Sequence, residues 1–280
     1  MKMKILLTCA TFAVIAFTSC KKDNSTSTTD EIETTFALSA NEGISENLTQ
    51  DANDVLNETA FDKNLQGAKG TGIAETTGTL GCAKVTVTPI NGFPKTIVID
   101  FGNGSCTSNN GINRSGIINV TLTDSLRKPG SVATMTFNNY YVGGYKKEGT
   151  VTWTNTSTSG VKSWSRVCVN GKITAPDGTF WLHEGTQNVV QTAGSNTNTL
   201  LDDVYSITGT RTITNSAGRV RVGTVISALQ KKTICENIDQ GIYQIQGPNH
   251  VATINYGDGT CDRIATISID GRPARTFLLR

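Results

Sequence analysis

The chain has 280 residues, with 25 basic and 23 acidic side chains, and 37% of its residues are hydrophobic. This balance leaves almost no surplus of Lys and Arg to neutralise phosphates, which argues against nucleic-acid binding and against a polybasic membrane patch. Threonine, asparagine, serine and glycine are abundant, and only six residues are proline. Such a composition fits one large all-β domain better than a thick helical core.

Residues 1–19 have the pattern of an export signal. Lys2 and Lys4 give a positively charged start, and the apolar run ILLTCATFAVIAF follows. This run is shorter than the ~20 apolar residues that a membrane-spanning helix needs. We expect residues 1–19 to be removed on export, which leaves 23 basic and 23 acidic side chains in the mature protein.

The sequence FTSC at the end of this signal resembles a bacterial lipobox, and the junction SCKKDN is similar to that of Bacteroidota lipoproteins. The resemblance implies that Cys20 becomes the N-terminus and carries several acyl chains, palmitate among them, which together give stable membrane anchoring. We therefore expect a protein of the bacterial outer membrane. Because Asp23 is the one acid just after Cys20, we favour the periplasmic face over the cell surface. The alternative is an ordinary cleaved signal with a chance cysteine.

Two segments precede the first predicted strand. Residues 20–41 are polar and rich in threonine, so they are predicted to form a flexible membrane tether. Residues 42–64 are predicted to form a short helix packed on the sheet, with Ser45 as a candidate cap whose hydroxyl accepts from free backbone amides. The apolar residues at helical spacing are Leu48, Ala52, Val55, Leu56 and Ala60.

Residues 65–280 are predicted to form one antiparallel β domain. Apolar and polar residues alternate in runs such as SVATMTFNN and GIINVTLTD, which is typical of strands with one buried face. Turn signals such as INGFP, RKPG, APDGT and NSAGR separate the runs and leave no room for crossover helices. The predicted fold class is all-β: a long-stranded antiparallel meander that forms a twisted sandwich or an open barrel, with one short N-terminal helix.

Two parts of this domain repeat one another. Residues 90–106 and 245–261 align without gaps, and they end in the similar turns FGNGSC and YGDGTC. Each copy has a further cysteine upstream, so related disulfide hairpins are predicted at 82–106 and 235–261. Calcium bound by oxygen donors of these turns is the alternative, and we favour the structural corner. The predicted pairs are Cys82 with Cys106 and Cys235 with Cys261.

Residue types that support catalysis are sparse. His183 and His250 lack metal-ligand spacing and are interpreted as isolated surface or strand histidines. Cys168 is the unpaired thiol, interpreted as buried and inert rather than nucleophilic. We predict no catalytic residue, no metal and no cofactor. Four scattered carboxylates could in principle supply the acid and base of a glycosidase: Glu148, Glu184, Asp202 and Asp203.

Three tryptophans are the candidate binding residues. Trp153, Trp164 and Trp181 fall in consecutive strand-like segments, where flat rings can stack on sugars or anchor a protein. Burial between layers or beneath the helix is the favoured interpretation. Exposure of all three would make them a binding surface.

Longer stretches, among them KPGSVATMTFNNYYVGGYKKEGT and LDDVYSITGT, resemble a family of exported Bacteroidota lipoproteins of unknown function. The resemblance implies a lipid-anchored envelope protein and transfers no catalytic residues. We therefore expect a non-enzymatic interaction or structural domain that contacts the membrane through lipid and has an envelope protein or a glycan as its partner. A glycan-binding module that uses the tryptophans is one alternative, and a hydrolase is a less favoured one.

Overall fold

A computed structural model describes residues 24–104, 106–109 and 111–279. The export signal predicted at 1–19 and the lipid site predicted at Cys20 lie outside the described residues. Within those residues the chain forms one helix and sixteen strands. Their bounds are α1 Asn24–Asp62, β1 Thr71–Glu75, β2 Lys84–Thr88, β3 Lys95–Asp100, β4 Cys106–Thr107, β5 Asn113–Leu122, β6 Val132–Val142, β7 Tyr145–Asn155, β8 Lys162–Thr174, β9 Phe180–Ala193, β10 Thr197–Thr199, β11 Val204–Asn215, β12 Val220–Lys232, β13 Gln240–Gln246, β14 Val251–Asp258, β15 Ile264–Ile269 and β16 Arg275–Leu278.

Fourteen of these strands form one antiparallel sheet that follows the chain from β2 to β16. β4 pairs with β5 beside the main path, and β9 pairs directly with β11 because β10 joins β1 in a separate parallel pair. The edge strands β2 and β16 do not pair with each other, so the sheet is not closed into a barrel. The prediction of an all-β meander with one N-terminal helix is confirmed, and the meander is one open sheet beside the small β1–β10 pair.

The sheet curls around α1. Side chains from β5, β7, β8, β9, β11 and β12 all reach the helix. Between Glu42 and Ala60, every residue except Ile44 and Asn57 is buried. A helix enclosed in this way needs a partner for each face, and its polar faces need hydrogen bonds or opposite charges.

The helix is longer than the sequence predicts. It begins at Asn24, so the flexible tether predicted for residues 20–41 is wrong from residue 24 onward. The sheet supplies polar partners that the local sequence does not reveal; for example, the guanidinium of Arg221 donates to the hydroxyl of Thr35 at 3.1 Å. Polar residues that we expected to face water are therefore ordered against the sheet.

Ser45 does not cap the helix. It lies in mid-helix, where its Oγ donates to the backbone oxygen of Asn41 at 2.8 Å. The C-terminal end agrees with the prediction to within two residues, because α1 ends at Asp62. There Asn64 has a φ of 55°, a left-handed conformation that is common where helices end.

The apolar part of the core follows the predicted alternation. Ile118, Val120 and Leu122 of β5 are fully buried, as is Met135 of β6. The five apolar helix positions predicted from helical spacing are also buried. Alternation with a period of two identifies the inner face of these strands because each of them has one side in the core.

A row of bulges crosses the sheet and allows it to bend sharply. Each strand from β5 to β9 and from β11 to β14 carries a glycine, an asparagine with positive φ, or a register shift, which lies near one strand end in β13 and β14. At Gly116 the φ is 81°, and a Cβ atom would lie 2.0 Å from the backbone oxygen of Asn139, so a side chain does not fit. We call this row the glycine belt, and its members are Gly116, Asn139, Gly149, Asn170, Gly171, Gly185, Gly209, Gly241 and Gly257.

Candidate functional site

Five acidic side chains of α1 are buried beside five basic side chains of the sheet. Isolated buried charges are costly, so this arrangement is stable only because opposite charges and hydrogen bonds meet one another. Each of the ten residues is at least nine-tenths buried. We call them the ionic core: Glu42, Glu46, Asp51, Asp54 and Glu58 from the helix, and Arg114, Lys147, Arg166, Arg211 and Lys231 from the sheet.

Glu46 is the most heavily bonded carboxylate of the ionic core. Its two oxygens accept from Arg166 and Arg211, each at 2.5 Å, and from the amides of Gln50 at 2.9 Å and Gln187 at 3.0 Å. Burial alone would raise the pKa of Glu46, but the two guanidinium groups outweigh it and hold the pKa far below its ordinary value of 4.5. Glu46 therefore carries its charge in the folded protein.

Glu42 lies one helical turn earlier and behaves differently. The Nε atom of Arg211 is 3.0 Å from its Oε1, but the two groups are not aligned as a hydrogen bond. Burial raises the pKa of Glu42 to about 7, because Arg211 only partly compensates for the lost water and Glu46 adds repulsion. The interior thus holds one firmly charged and one readily protonated carboxylate on the same helix face.

The remaining pairs lie further along the helix. Arg114 donates to Asp51 at 2.5 Å, and Lys231 lies 2.9 Å from Asp54. Glu58 instead accepts from the backbone amide of Thr79 at 2.7 Å. Each contact joins the helix to a different part of the chain, so together they fix the position of α1 inside the sheet.

Cys168 and His183 lie beside the ionic core, close to its member Lys147. Lys147 donates to the hydroxyl of Thr49 at 3.0 Å, and burial lowers its pKa to about 8. The Cys168 Sγ is 3.7 Å from Nδ1 of His183, which also contacts Arg211. Burial and the neighbouring cations hold the pKa of His183 well below 6.5, so the imidazole is neutral. Cys168 is a free, buried thiol, as predicted.

Neither histidine lies at the surface. His183 is 1% exposed on β9, and His250 is 7% exposed before β14, where its Nδ1 lies 2.6 Å from Asp270. The prediction of strand histidines is right for His183, and the prediction of surface histidines is wrong for both. His183 is buried on the inner face of the curled sheet, whereas His250 is covered in the turn before β14, where it contacts Asp270.

Both predicted disulfides are present. The Cα atoms are 5.7 Å apart for Cys82 and Cys106, and 5.1 Å apart for Cys235 and Cys261. Each bridge closes the open end of a hairpin, β2–β3 in the first copy and β13–β14 in the second. The second bridge also lies beside Asp239, and this trio is the one group of three metal-ligand types found among the described residues. Its two sulfurs are bonded to each other.

Oxygen donors in the repeated turns bind the backbone. Asp100 accepts from the amide of Gly102 at 2.8 Å, and Asp258 accepts from the amide of Thr260 at 3.1 Å. Asp262 accepts from the next strand in the same way. These bonds stabilise tight turns, which supports the structural corner over the calcium alternative.

The three tryptophans are buried, so they do not form the binding surface considered from the sequence. Trp153, Trp164 and Trp181 are 3%, 7% and 2% exposed. The indole of Trp181 donates to Ser45 at 2.7 Å, and the Arg166 guanidinium lies 5.3 Å from the centre of the Trp153 ring. All three occupy inward positions of their strands and pack around the helix.

Two of the four carboxylates considered for a hydrolase line one groove on the outer face of the sheet. This groove has a volume of about 410 Å³. A second depression of about 370 Å³ shares Glu184 and Thr212 with it and continues to β12. We call the two together the outer groove, defined by Glu148, Lys172, Leu182, Glu184, Thr212 and Val222.

The register of the strands does not place the two carboxylates of the outer groove in contact. Glu148 on β7 is in register with Leu182 on β9, so the Glu184 backbone is two strand spacings across and two residues along from it, or about 12 Å away. Glu148 is paired with Lys146 at 3.0 Å. The other two carboxylates lie elsewhere, Asp203 in a buried pair with Lys69 and Asp202 beside Thr197.

Comparison with known proteins gives no family for the chain, because no family model, curated protein or solved structure matches it. In the part of the chain that the structure describes, no helix combines the length and apolar character needed to span a membrane.

Proposed function

We propose that the protein is a lipid-anchored envelope protein whose β domain acts by binding rather than by catalysis. The main observation in support of this proposal is the ionic core. The groups with catalytic chemistry, such as Glu46, Cys168 and His183, are buried: Glu46 accepts from two guanidinium groups, and Cys168 lies beside His183. The outer groove is open to solvent, and although Cys168 and His183 are among the residues that line it, they are only 6% and 1% exposed.

The oxidising compartment and the lipid anchor are supported by separate features. Two disulfides are typical of exported proteins, and the lipobox-like FTSC ends at Cys20. Four residue steps separate Cys20 from the start of α1 at Asn24. Fully extended, they cover at most about 14 Å, so the start of α1 in the anchored protein would lie close to the bilayer.

A pair of cysteine variants tests the anchor. Cells expressing the wild-type protein, Cys20→Ser or Cys9→Ser are grown with an alkyne analogue of palmitate, and the labelled protein is followed through membrane fractionation. We expect label and membrane association for the wild type and Cys9→Ser, and neither for Cys20→Ser. Label retained by Cys20→Ser would contradict the proposal. Protease added to intact cells then distinguishes the cell surface from the periplasmic face.

Crosslinking in intact envelopes tests the binding role. Wild-type protein is crosslinked, purified and compared with a Cys20→Ser protein that is exported without lipid. A specific crosslinked species that depends on Cys20 supports a membrane-associated binding protein. Turnover of an envelope polymer by the purified protein would contradict the non-enzymatic part of the proposal.

A further inference from the structure

The outer groove crosses five adjacent strands, β7, β8, β9, β11 and β12. By register, Leu182 lies beside Thr214, which lies beside Val220. In the next row, Glu184 lies beside Thr212, which lies beside Val222. Four strand spacings correspond to about 19 Å, so the groove is long enough for an extended oligomer lying across the strands.

The groove presents polar groups that have no partner of their own. In the described part of the chain, the carboxylate of Glu184 and the hydroxyls of Thr212 and Thr214 make no hydrogen bond or ion pair. Glu184 is shared by both depressions and lies at the centre of the groove. Asn170 lines the same depression as Glu184.

Apolar side chains border these polar groups. Leu182 and Val222 are 45% and 47% exposed, and Phe180 at 38% lies next to them with the Lys172 ammonium 4.7 Å from its ring centre. Val220 is 49% exposed on the same outer face. Exposed apolar side chains gathered around convergent polar groups are typical of binding sites.

We propose that the outer groove binds a neutral oligosaccharide, an inference that rests on the proposed binding function. Sugars offer hydroxyl groups that both donate and accept, and apolar C–H faces that pack on Phe or Leu. Hydroxyl, amide and carboxylate groups alternating with apolar side chains match both features. The charges of the groove nearly balance, because Glu148 is paired with Lys146 and Lys172 lies in the same depression as Glu184, which fits a neutral ligand. An added peptide strand would bind a sheet edge rather than this face.

Calorimetry on the lipidated wild-type protein in detergent tests the inference. The probes are cellohexaose, maltohexaose and chitohexaose, with hexagalacturonate as the acidic comparison. Glu184→Gln and Leu182→Ala are the groove variants. Their matched controls are Glu33→Gln, an exposed carboxylate on α1, and Ile264→Ala, an exposed apolar residue on β15. All substituted side chains are exposed, and a thermal melt checks that each variant is folded.

We expect at least one neutral hexasaccharide to bind. Affinity should fall about tenfold or more in Glu184→Gln, because a hydrogen bond to a charged acceptor is lost, and about fivefold in Leu182→Ala. The controls should bind like the wild type. Three outcomes would overturn the inference. None of the neutral probes binds, both groove variants bind the probe as tightly as the wild type does, or hexagalacturonate binds more tightly than the neutral probes.

The same samples separate this inference from the proposed function. If no sugar binds while Cys20 is lipidated and a crosslinked partner is found, the groove inference fails and the proposed function stands. If a bound hexasaccharide is cleaved, the groove inference stands and the non-enzymatic proposal fails. Mass spectrometry of the probe after incubation distinguishes these outcomes.

Discussion

Glu42→Gln should stabilise the protein at alkaline pH, although it removes one member of a buried charge pair. The pKa of Glu42 rises from 4.5 to about 7 on folding, chiefly through burial. A carboxyl group with a raised pKa binds more protons in the folded state than in the unfolded state. Its contribution to the free energy of unfolding is therefore fully present below about pH 4.5 and is lost as the pH rises through 7.

The size of the effect follows from the two pKa values. Between pH 5 and pH 8, the shift from 4.5 to about 7 removes roughly 2 to 3 kcal/mol from the free energy of unfolding. Glutamine has nearly the same shape as protonated glutamate and does not titrate. Glu42→Gln should therefore match the wild type to within about 1 kcal/mol at pH 5 and exceed it by about 2 kcal/mol or more at pH 8.

Urea unfolding of the non-lipidated Cys20→Ser protein, measured at both pH values with and without Glu42→Gln, checks this prediction. Comparing the two proteins cancels the titration of other groups, including His183, whose lowered pKa acts in the opposite direction. Glu33→Gln is the control, since an exposed ion pair contributes at most about 1 kcal/mol. A Glu42→Gln protein less stable than its parent at pH 8 would refute the reasoning, because the Arg211 contact would then outweigh the cost of burial.

Three other substitutions test the parts of the fold separately, each by urea unfolding at pH 7. Glu46→Gln should cost about 3 kcal/mol or more, because two buried guanidinium groups lose their counter-charge; the loss should shrink in acid, where the lowered pKa of Glu46 is finally reached. Gly116→Ala should cost about 3 kcal/mol through collision with a neighbouring strand, whereas Gly104→Ala, with open space around it, should change stability by less than about 0.5 kcal/mol. Replacing Cys235 and Cys261 together by alanine should cost about 3 kcal/mol. For Glu46→Gln, Gly116→Ala and the cysteine pair, an unchanged urea midpoint would contradict the stabilising role given to that part of the fold.

The sequence predicts the features that depend on neighbouring residues. Alternation identifies strands because each residue's face is set by its immediate neighbours. Glycine and asparagine identify turns through the φ angles that they allow. The disulfide pairing of Cys82 with Cys106 follows from a hairpin of short sequence separation, and the repeated turn provides the same argument for the second bridge.

The ionic core is not predicted because its partners are distant in the sequence. Glu46 and Arg211 are 165 residues apart, and a polar helix sequence viewed alone suggests exposure to water. One local feature of the sequence does indicate a buried charge. Arg166 lies between Trp164 and Cys168 at a spacing of two residues, which places it in phase with inward-facing side chains. A basic residue in that phase indicates a buried counter-charge, and the acidic helix is its source.

The glycine belt links the buried interior to the open outer groove. On the inner side, Gly185 leaves space for Arg211, since a Cβ atom there would lie 2.6 Å from the Arg211 Cγ. On the outer side, the backbones of Gly171 and Gly185 contribute to the groove. The residues that let the sheet bend around a charged helix therefore also shape its outer surface. A side chain at Gly185 should disturb both the interior and the groove, whereas Glu184→Gln changes the groove alone, which is why the binding test uses Glu184.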